Sequence, residues 1–188
     1  TVDDDKVYTK HLVSDLLNQW NENQDKVLCR KGCIFKKVNK KNKLYKKVGV
    51  CKELKSLVEI PIRGCDINHN ILVNGLLGTG GVLYRPSFFN KDAYNIPNND
   101  FILVDDVYLS GYLGKQNVKI MVCKYPMTNV IRYIDKVNPL SKKYANLDID
   151  NKNRPQNPLA NINKIDSIDK CKKLARCFKY YEEYIYTK

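Results

Sequence analysis

The sequence predicts an α/β domain in which a mixed sheet is flanked by helices. Short apolar runs with strand character alternate with segments of helical periodicity, which is typical of α/β proteins. A chain of 188 residues suits one hydrophobic core, so we expect a single domain over residues 1–188. Apolar residues make up 43% and charged residues 28% of the chain, which excludes collagen-like and largely disordered proteins.

The first predicted elements are an amphipathic helix and a group of short strands. We expect a helix over residues 10–23 with Thr9 as its N-cap. Its apolar face follows from helical spacing of Leu12, Val13, Leu16, Leu17 and Trp20. Short apolar runs then predict strands at 27–28, 34–35, 44–45, 48–50 and 57–62. We interpret residues 29–56 as a lysine-rich strand insertion whose tip, residues 37–43, is a solvated turn.

The second half predicts a glycine-rich turn followed by alternating strands and helices. Residues 75–81 are rich in glycine and lead into an apolar strand at 82–84, with a loop at 90–100. Residues 104–114 predict a helix that begins at two aspartates and ends on a glycine, and residues 118–122 a buried strand. Residues 136–163 predict a loop-rich segment. A C-terminal helix follows from the helical spacing of Cys171, Leu174, Ala175, Phe178, Tyr181 and Ile185.

The chain is strongly basic, with 33 basic and 20 acidic residues and a net charge of +13. Nucleic acid is the first partner that such a charge suggests. The competing interpretation is that a bias of the coding sequence produced the positive charge. Lys, Asn, Ile and Tyr together make up about 40% of the chain, as an AT-rich coding sequence would give, and only 6 of the basic residues are Arg. No run of eighteen apolar residues occurs, so no bilayer-spanning segment is predicted.

The seven cysteines match no zinc-finger spacing and are accompanied by only two histidines. We therefore expect buried free thiols and a reducing, cytoplasmic compartment.

The sequence opens with Thr1, Val2 and three aspartates. It has no initial Met and no basic segment that leads into an apolar one. We interpret it as part of a longer protein in which no signal peptide is visible.

Three motifs contain residues that carry chemistry. Asp3, Asp4 and Asp5 are adjacent, and their mutual repulsion favours either a bound divalent cation that holds a diphosphate or an exposed acidic terminus. Asp105 and Asp106 begin a predicted helix, where a carboxylate stays ionised and can accept a proton, although such a pair also occurs without any function. The motif Gly-Thr-Gly-Gly at 78–81 allows close approach of a sugar or phosphate, or simply makes a tight turn into a strand.

In this order, the acidic triplet, the stretch GGVLYRP and the stretch DDVYLSGYL resemble nucleotide-sugar-dependent glycosyltransferases of the GT-A fold. The resemblance covers about residues 1–113. In that family a DxD motif at a strand end holds a divalent metal on the donor diphosphate, and a later acidic pair lies beside the acceptor. The resemblance implies that Asp3 and Asp5 bind Mn²⁺ or Mg²⁺ and that Asp4 contacts the ribose or sugar of the donor.

The resemblance also implies roles for residues later in the chain. Asp106 matches the catalytic base of inverting members, with Asp105 next in line. Gly80 and Gly81 would line the donor-sugar or acceptor site. Some members use a late histidine as a metal ligand, a position that His11 and His69 are too early to match. Tyr84, Tyr108 and Tyr112 could stack on sugar rings, although core packing is the competing role for at least two of them.

The implied partners are a UDP- or GDP-sugar donor and a glycan, a lipid-linked sugar or a protein side chain as acceptor. Family members place a nucleotide-binding βαβ half before the DxD motif, so we expect that half to come from a missing N-terminal segment or a second chain.

Two alternative functions stay open. One is a basic nucleic-acid-binding domain without specific recognition, which uses Lys36–Lys47 with Phe35 and Tyr45. The other is an inactive glycosyltransferase-like interaction module.

Overall fold

The computed structural model describes residues 1, 6–37, 57–126, 132–133, 169 and 172–186. Several predictions of the sequence fall outside these residues. They are the acidic triplet Asp3–Asp5, the strands at 44–45 and 48–50, most of the turn at 37–43, Tyr45, the segment 136–163 and Cys171.

The described residues form a mixed α/β structure. The strands are, in chain order, β1 (Lys6–Val7), β2 (Lys26–Cys29), β3 (Lys31–Lys37), β4 (Leu57–Arg63), β5 (Ile71–Val73), β6 (Gly75–Leu76), β7 (Val82–Leu83), β8 (Lys119–Val122) and β9 (Arg132–Tyr133). The helices are α1 (Leu12–Trp20), α2 (Asp105–Lys115), α3 (residues 172–180) and α4 (Glu182–Tyr186). No helix in this part of the chain is long and apolar enough to cross a membrane.

The largest sheet has the strand order β5–β8–β2–β7. Strands β2 and β8 are parallel, with Lys26 opposite Lys119 and Cys29 opposite Val122, whereas β5 and β7 run antiparallel to their neighbours. Parallel neighbours need a crossover connection, and α2 immediately precedes β8 in the chain. The prediction of a mixed sheet with helices is therefore confirmed.

A second sheet, β4–β3–β6, is antiparallel throughout and packs closely on the first. Gly32 of β3 marks the contact between the sheets. A Cβ atom at this position would lie 2.8 Å from a Val122 methyl group and 3.0 Å from one of Val73, both on the first sheet. The same Cβ atom would lie 2.8 Å from the Gly75 carbonyl oxygen of the neighbouring strand, so a larger residue here would force β3 or its neighbours to shift. The third sheet pairs β1 with β9.

Helix α1 is shorter than predicted and differs in its cap. It begins at Leu12, with His11 at the N-cap position and no side-chain cap, so the prediction of Thr9 as the N-cap is wrong. Thr9 instead accepts the Leu12 N–H with its carbonyl oxygen at 3.1 Å, and its hydroxyl lies 3.4 Å from Arg30 Nη1.

The buried face of α1 is narrower than its apolar pattern. Leu12 and Leu16 pack with Leu28, Met121 and Cys123 of the large sheet, and Trp20 is half-buried against the same cluster. The side chains of Val13 and Leu17 are 64% and 45% exposed, so their assignment to the buried face is wrong.

Helix α2 begins at the two aspartates as predicted but continues past Gly114 to Lys115. The left-handed position that follows the helix is taken by Asn117, with a φ of 62°, rather than by a glycine. Glycines inside α2 are explained by packing. A Cβ atom at Gly111 would overlap the Tyr181 side chain. The buried side chains of the C-terminal helical segment cover this part of α2, namely Cys177, Phe178, Tyr181 and Ile185.

The thiols in the described part of the chain are free. Cys29, Cys33, Cys123 and Cys177 are buried, as predicted, whereas Cys65 is only half-buried. Burial raises the pKa of Cys123 and of Cys177 to about 12, so both stay protonated and unreactive near neutral pH.

A buried arginine, which the sequence patterns did not predict, lies between β2 and β3. Only 1% of Arg30 is exposed. Its guanidinium carbon lies 3.7 Å from the centre of the Tyr125 ring, and its Nη2 lies 3.6 Å from a carboxylate oxygen of Asp15. Burial lowers the pKa of Arg30 from its ordinary value, but an arginine remains charged in proteins. The cation is therefore held by an aromatic face and a carboxylate inside the fold.

Candidate functional site

The structure brings the glycine motif and the second acidic pair into direct contact. Residues Gly78–Gly80 form a single 3₁₀ turn, and the backbone N–H of Gly78 donates a hydrogen bond of 2.8 Å to Asp106 Oδ1. The turn closes when the Gly81 N–H donates to the Gly78 carbonyl at 2.9 Å, with Gly81 at a φ of 85°. The carboxylate of Asp106 therefore holds the start of the turn.

A buried serine provides a second link between the same two elements. Ser110 lies one turn after Asp106 in α2 and is 2% exposed. Its hydroxyl donates to the Asp106 carbonyl at 2.5 Å and accepts the Leu76 N–H at 3.0 Å. Leu76 of β6 and Gly78 of the glycine turn are thus each hydrogen-bonded to α2, which fixes the position of the acidic pair relative to the turn.

The start of the described chain lies beside the same turn. Thr1 pairs with β7, since its carbonyl accepts the Val82 N–H at 2.9 Å and its nitrogen donates to the Val82 carbonyl at 2.6 Å. Burial raises the pKa of the Tyr84 hydroxyl well above its ordinary value, a hydrogen bond with Thr1 partly offsets this, and the charges of Asp106 and Asp105 raise it further. Tyr84 is therefore close to both Thr1 and the acidic pair.

Gly80 and Gly81 are both buried. A Cβ atom at Gly80 would lie 2.8 Å from the backbone nitrogen of Lys31, and one at Gly81 would lie 3.0 Å from the Leu12 side chain. Close packing and, at Gly81, a left-handed backbone thus explain the glycines. Their contact with a sugar stays a prediction.

Two of the three tyrosines are core residues that hold the segment before α2. The Tyr108 hydroxyl donates to the Ala93 carbonyl at 2.7 Å. The Tyr112 hydroxyl lies 2.9 Å from Asn90 Oδ1 and accepts the Asn90 N–H at 3.2 Å. Both tyrosines are less than 10% exposed, which confirms the core-packing interpretation for them, whereas Tyr84 is half-buried with its ring edge on Phe89.

The metal-binding and donor-contacting roles of Asp3, Asp5 and Asp4 stay predictions, because these residues lie outside the described part of the chain. Within that part, no three His, Cys, Asp or Glu side chains come close enough together to hold a metal ion. His11 and His69 are both exposed.

The structure bears on one residue of the nucleic-acid alternative. Phe35 is 5% exposed and makes an edge-to-face contact with Phe178, with ring centres 4.6 Å apart. Its ring therefore belongs to the core and is not available to stack on a base. Lys36 and Lys37 are exposed at the end of β3.

Sequence reasoning found Asp105 and Asp106 but missed Ser110, which joins α2 to β6. A polar residue at position i+4 from Asp106 in an otherwise apolar and aromatic stretch was the available signal. The geometry as a whole places the Asp106 carboxylate in the first turn of α2, hydrogen-bonded to the glycine turn. No protein-family model matches the sequence, and no curated protein is significantly similar to it.

Proposed function

We propose that this chain is part of a metal-dependent glycosyltransferase of the GT-A type, which moves a sugar from a UDP- or GDP-sugar to an acceptor hydroxyl. The observation that carries this proposal is the hydrogen bond from the Gly78 N–H to Asp106 Oδ1 at 2.8 Å. It joins the glycine turn that leads into the stretch GGVLYRP to the first turn of the helix that carries DDVYLSGYL. The pairing of Thr1 with Val82 supports the proposal further, because Thr1 directly precedes the segment with the acidic triplet.

Asp106 is the proposed general base. Its position in the first turn of α2 favours the ionised form, since the free N–H groups and the dipole of a helix N-terminus stabilise negative charge. A carboxylate has about four acceptor sites, so holding Gly78 is compatible with taking a proton from an acceptor hydroxyl. Asp105, which is more exposed, is the neighbouring carboxylate in the same turn.

Asp3 and Asp5 are the proposed metal ligands, with Asp4 at the ribose or sugar of the donor. Carboxylate oxygens are the hard ligands that Mg²⁺ and Mn²⁺ prefer, so the chemistry of the donor set fits the ion. A bound divalent cation would neutralise charge on the diphosphate leaving group. The protein's own contribution is to present the carboxylates together and to place Asp106 at the acceptor hydroxyl.

The test is the binding of a diphosphate, which needs the metal site but no nucleoside pocket. Pyrophosphate, UDP and GDP are titrated calorimetrically into the chain with and without Mn²⁺. We expect Mn²⁺-dependent binding that is lost in Asp3→Ala and in Asp5→Ala. The matched control is Asp25→Ala, which removes an exposed carboxylate bonded only locally to Lys26.

Three outcomes would contradict the proposal. The first is a folded chain that binds pyrophosphate equally well without Mn²⁺, and the second is binding that Asp3→Ala and Asp5→Ala leave unchanged. The third is a folded chain that binds none of the three diphosphates, which would favour the inactive interaction module. Circular dichroism of each variant establishes that it is folded.

A further inference from the structure

Two neighbouring clefts lie outside the site described above, and neither is lined by the glycine turn or the acidic pair. The apolar cleft, of about 540 Å³, lies where β3, β5 and β8 meet α2 and α4. Six aliphatic side chains line it, namely Ile34, Leu72, Val73, Val118, Ile120 and Ile185. Its volume is within the range of about 300–1,000 Å³ that is usual for small-molecule sites.

The uncharged polar residues in the wall of the apolar cleft make hydrogen bonds within the protein. Asn74 Nδ2 donates to the carbonyls of Phe35 and Ile185 at 2.9 and 2.8 Å, and its Oδ1 accepts the Phe35 N–H at 2.7 Å. The Ser110 hydroxyl is bonded to the backbone of Asp106 and Leu76. Because these groups are already satisfied, the cleft favours an apolar occupant. Leu72 leaves 51% of its surface exposed at the cleft.

The lysine cleft, of about 570 Å³, adjoins the apolar cleft. Tyr184 lines both, and each of the pairs Lys36–Lys37 and Gly114–Lys115 contributes one residue to each cleft. Three lysines from separate elements meet in the lysine cleft, together with two glutamates and two tyrosines. Its lining is Lys37, Lys115, Lys179, Tyr180, Glu182, Glu183 and Tyr184.

Positive charge exceeds negative charge across the pair of clefts. Lys36 and Lys119 line the apolar cleft in addition to the three lysines of its neighbour, against Glu182 and Glu183. Lys37 forms an ion pair with Glu182. In the lysine cleft, Lys115 comes from the end of α2 and Lys179 from α3, so an anion there would meet cations from two helices. Lys36 of β3 and Lys119 of β8 lie at the apolar cleft.

We propose that the two clefts together bind an anionic amphiphile, with its alkyl chain in the apolar cleft and a phosphate head group in the lysine cleft. Removal of the alkyl chain from water supplies the affinity, at about fourfold per buried CH₂ group. The lysines supply the selectivity for a negative head group. The clefts are concave, which suits a single molecule rather than a flat membrane surface. This site is independent of the proposed transferase chemistry.

The test is calorimetric titration of the full chain with dodecyl phosphate below its micellar concentration. Inorganic phosphate lacks the chain, and octaethylene glycol monododecyl ether lacks the charge, so we expect both to bind at least about tenfold more weakly. Octyl, decyl and dodecyl phosphates should bind progressively more tightly, by up to about fourfold per CH₂ group.

Charged substitutions with matched controls locate the site. Leu72→Asp should weaken dodecyl phosphate binding by about tenfold or more, because it places a carboxylate in the apolar cleft. The double variant Lys115→Glu with Lys179→Glu should weaken it by about fivefold or more. The controls are Val13→Asp, at an exposed apolar position of α1, and Lys10→Glu, and both should bind as the unaltered chain does.

Three results would overturn the proposal. They are equal affinity for the charged and the uncharged dodecyl compounds, affinities that Leu72→Asp leaves unchanged in a folded protein, and absence of dodecyl phosphate binding. Sedimentation with vesicles that contain an anionic phospholipid adds a separate measurement. Binding to vesicles without binding to monomeric dodecyl phosphate would assign the lysines to a membrane surface instead. Diphosphate binding is measured separately, so failure of one proposal leaves the other tested on its own.

Discussion

Asp106 combines a structural contact with a proposed chemical role, and two substitutions separate them. Asp106→Asn keeps an oxygen that can accept the Gly78 N–H but removes the proton acceptor, whereas Asp106→Ala removes both. A hydrogen bond to a charged group contributes about 1.5–3 kcal/mol, and a carboxylate in the first turn of a helix about 0.3–1 kcal/mol. We therefore expect Asp106→Ala to lower the free energy of unfolding by about 2–4 kcal/mol.

For Asp106→Asn the expected loss is about 1 kcal/mol, because the contact with Gly78 at 2.8 Å can be kept with a neutral acceptor. In a chain of this size 1 kcal/mol shifts the melting temperature by about 2–4 °C. Urea unfolding and thermal melting measure both variants, with Asp105→Asn as the matched control in the same helical turn. The loss of transfer rate should not follow the loss of stability. Asp106→Asn should stay well folded and yet transfer sugar about 10²–10⁴-fold more slowly, because it lacks the general base.

Two results would refute this reasoning. If Asp106→Asn is as unstable as Asp106→Ala, the hydrogen bond to Gly78 is not what Asp106 contributes to the fold. If Asp106→Asn transfers sugar at the rate of the unaltered enzyme, Asp106 is not the base. The transfer rate is measured with the complete enzyme, including the nucleotide-binding half that the resemblance implies, and with excess donor and Mn²⁺.

Three further predictions concern stability and follow from packing and burial. Gly111→Ala should lower the melting temperature, because a Cβ atom there would severely overlap Tyr181 Cγ, and its cost of up to about 3 kcal/mol outweighs the roughly 1 kcal/mol that alanine adds to a helix; an unchanged or raised melting temperature would contradict it. Arg30→Lys should destabilise the protein by about 1–3 kcal/mol in urea unfolding, since an ammonium group cannot reproduce the planar stacking of the guanidinium on Tyr125. The control Arg63→Lys, at an exposed position, should change the stability little. The free energy of unfolding should fall above about pH 9, by up to about 1.4 kcal/mol per pH unit for each buried thiol, because the Cys123 thiol of the folded chain keeps its proton up to a pKa of about 12 and that of the unfolded chain does not. Urea unfolding at several pH values under reducing conditions should show a weaker pH dependence of stability for Cys123→Ala.

Local patterns in the sequence predicted the position of α2 to within about one residue and the strands β2, β4 and β8 to within about two. The information for these elements is local: two aspartates at a helix start, and short apolar runs between polar turns. For α1, the same kind of local information gave a wrong prediction of the buried face. Five apolar residues at helical spacing predicted a wide buried face, but only Leu12 and Leu16 reach the sheet fully, and Val13 and Leu17 stay exposed.

The sequence by itself determined the α/β class and the basic charge, because these depend on composition and on short-range spacing. The roles of the acidic and glycine motifs stay predictions. Only the tertiary structure decided that Gly78 lies on Asp106, that Ser110 joins α2 to β6, and that Arg30 is buried on Tyr125. The physical reason is that these contacts depend on how the second sheet and α2 pack on the large sheet. Each joins residues that are more than 20 positions apart, and their positions are set by the burial of many side chains at once.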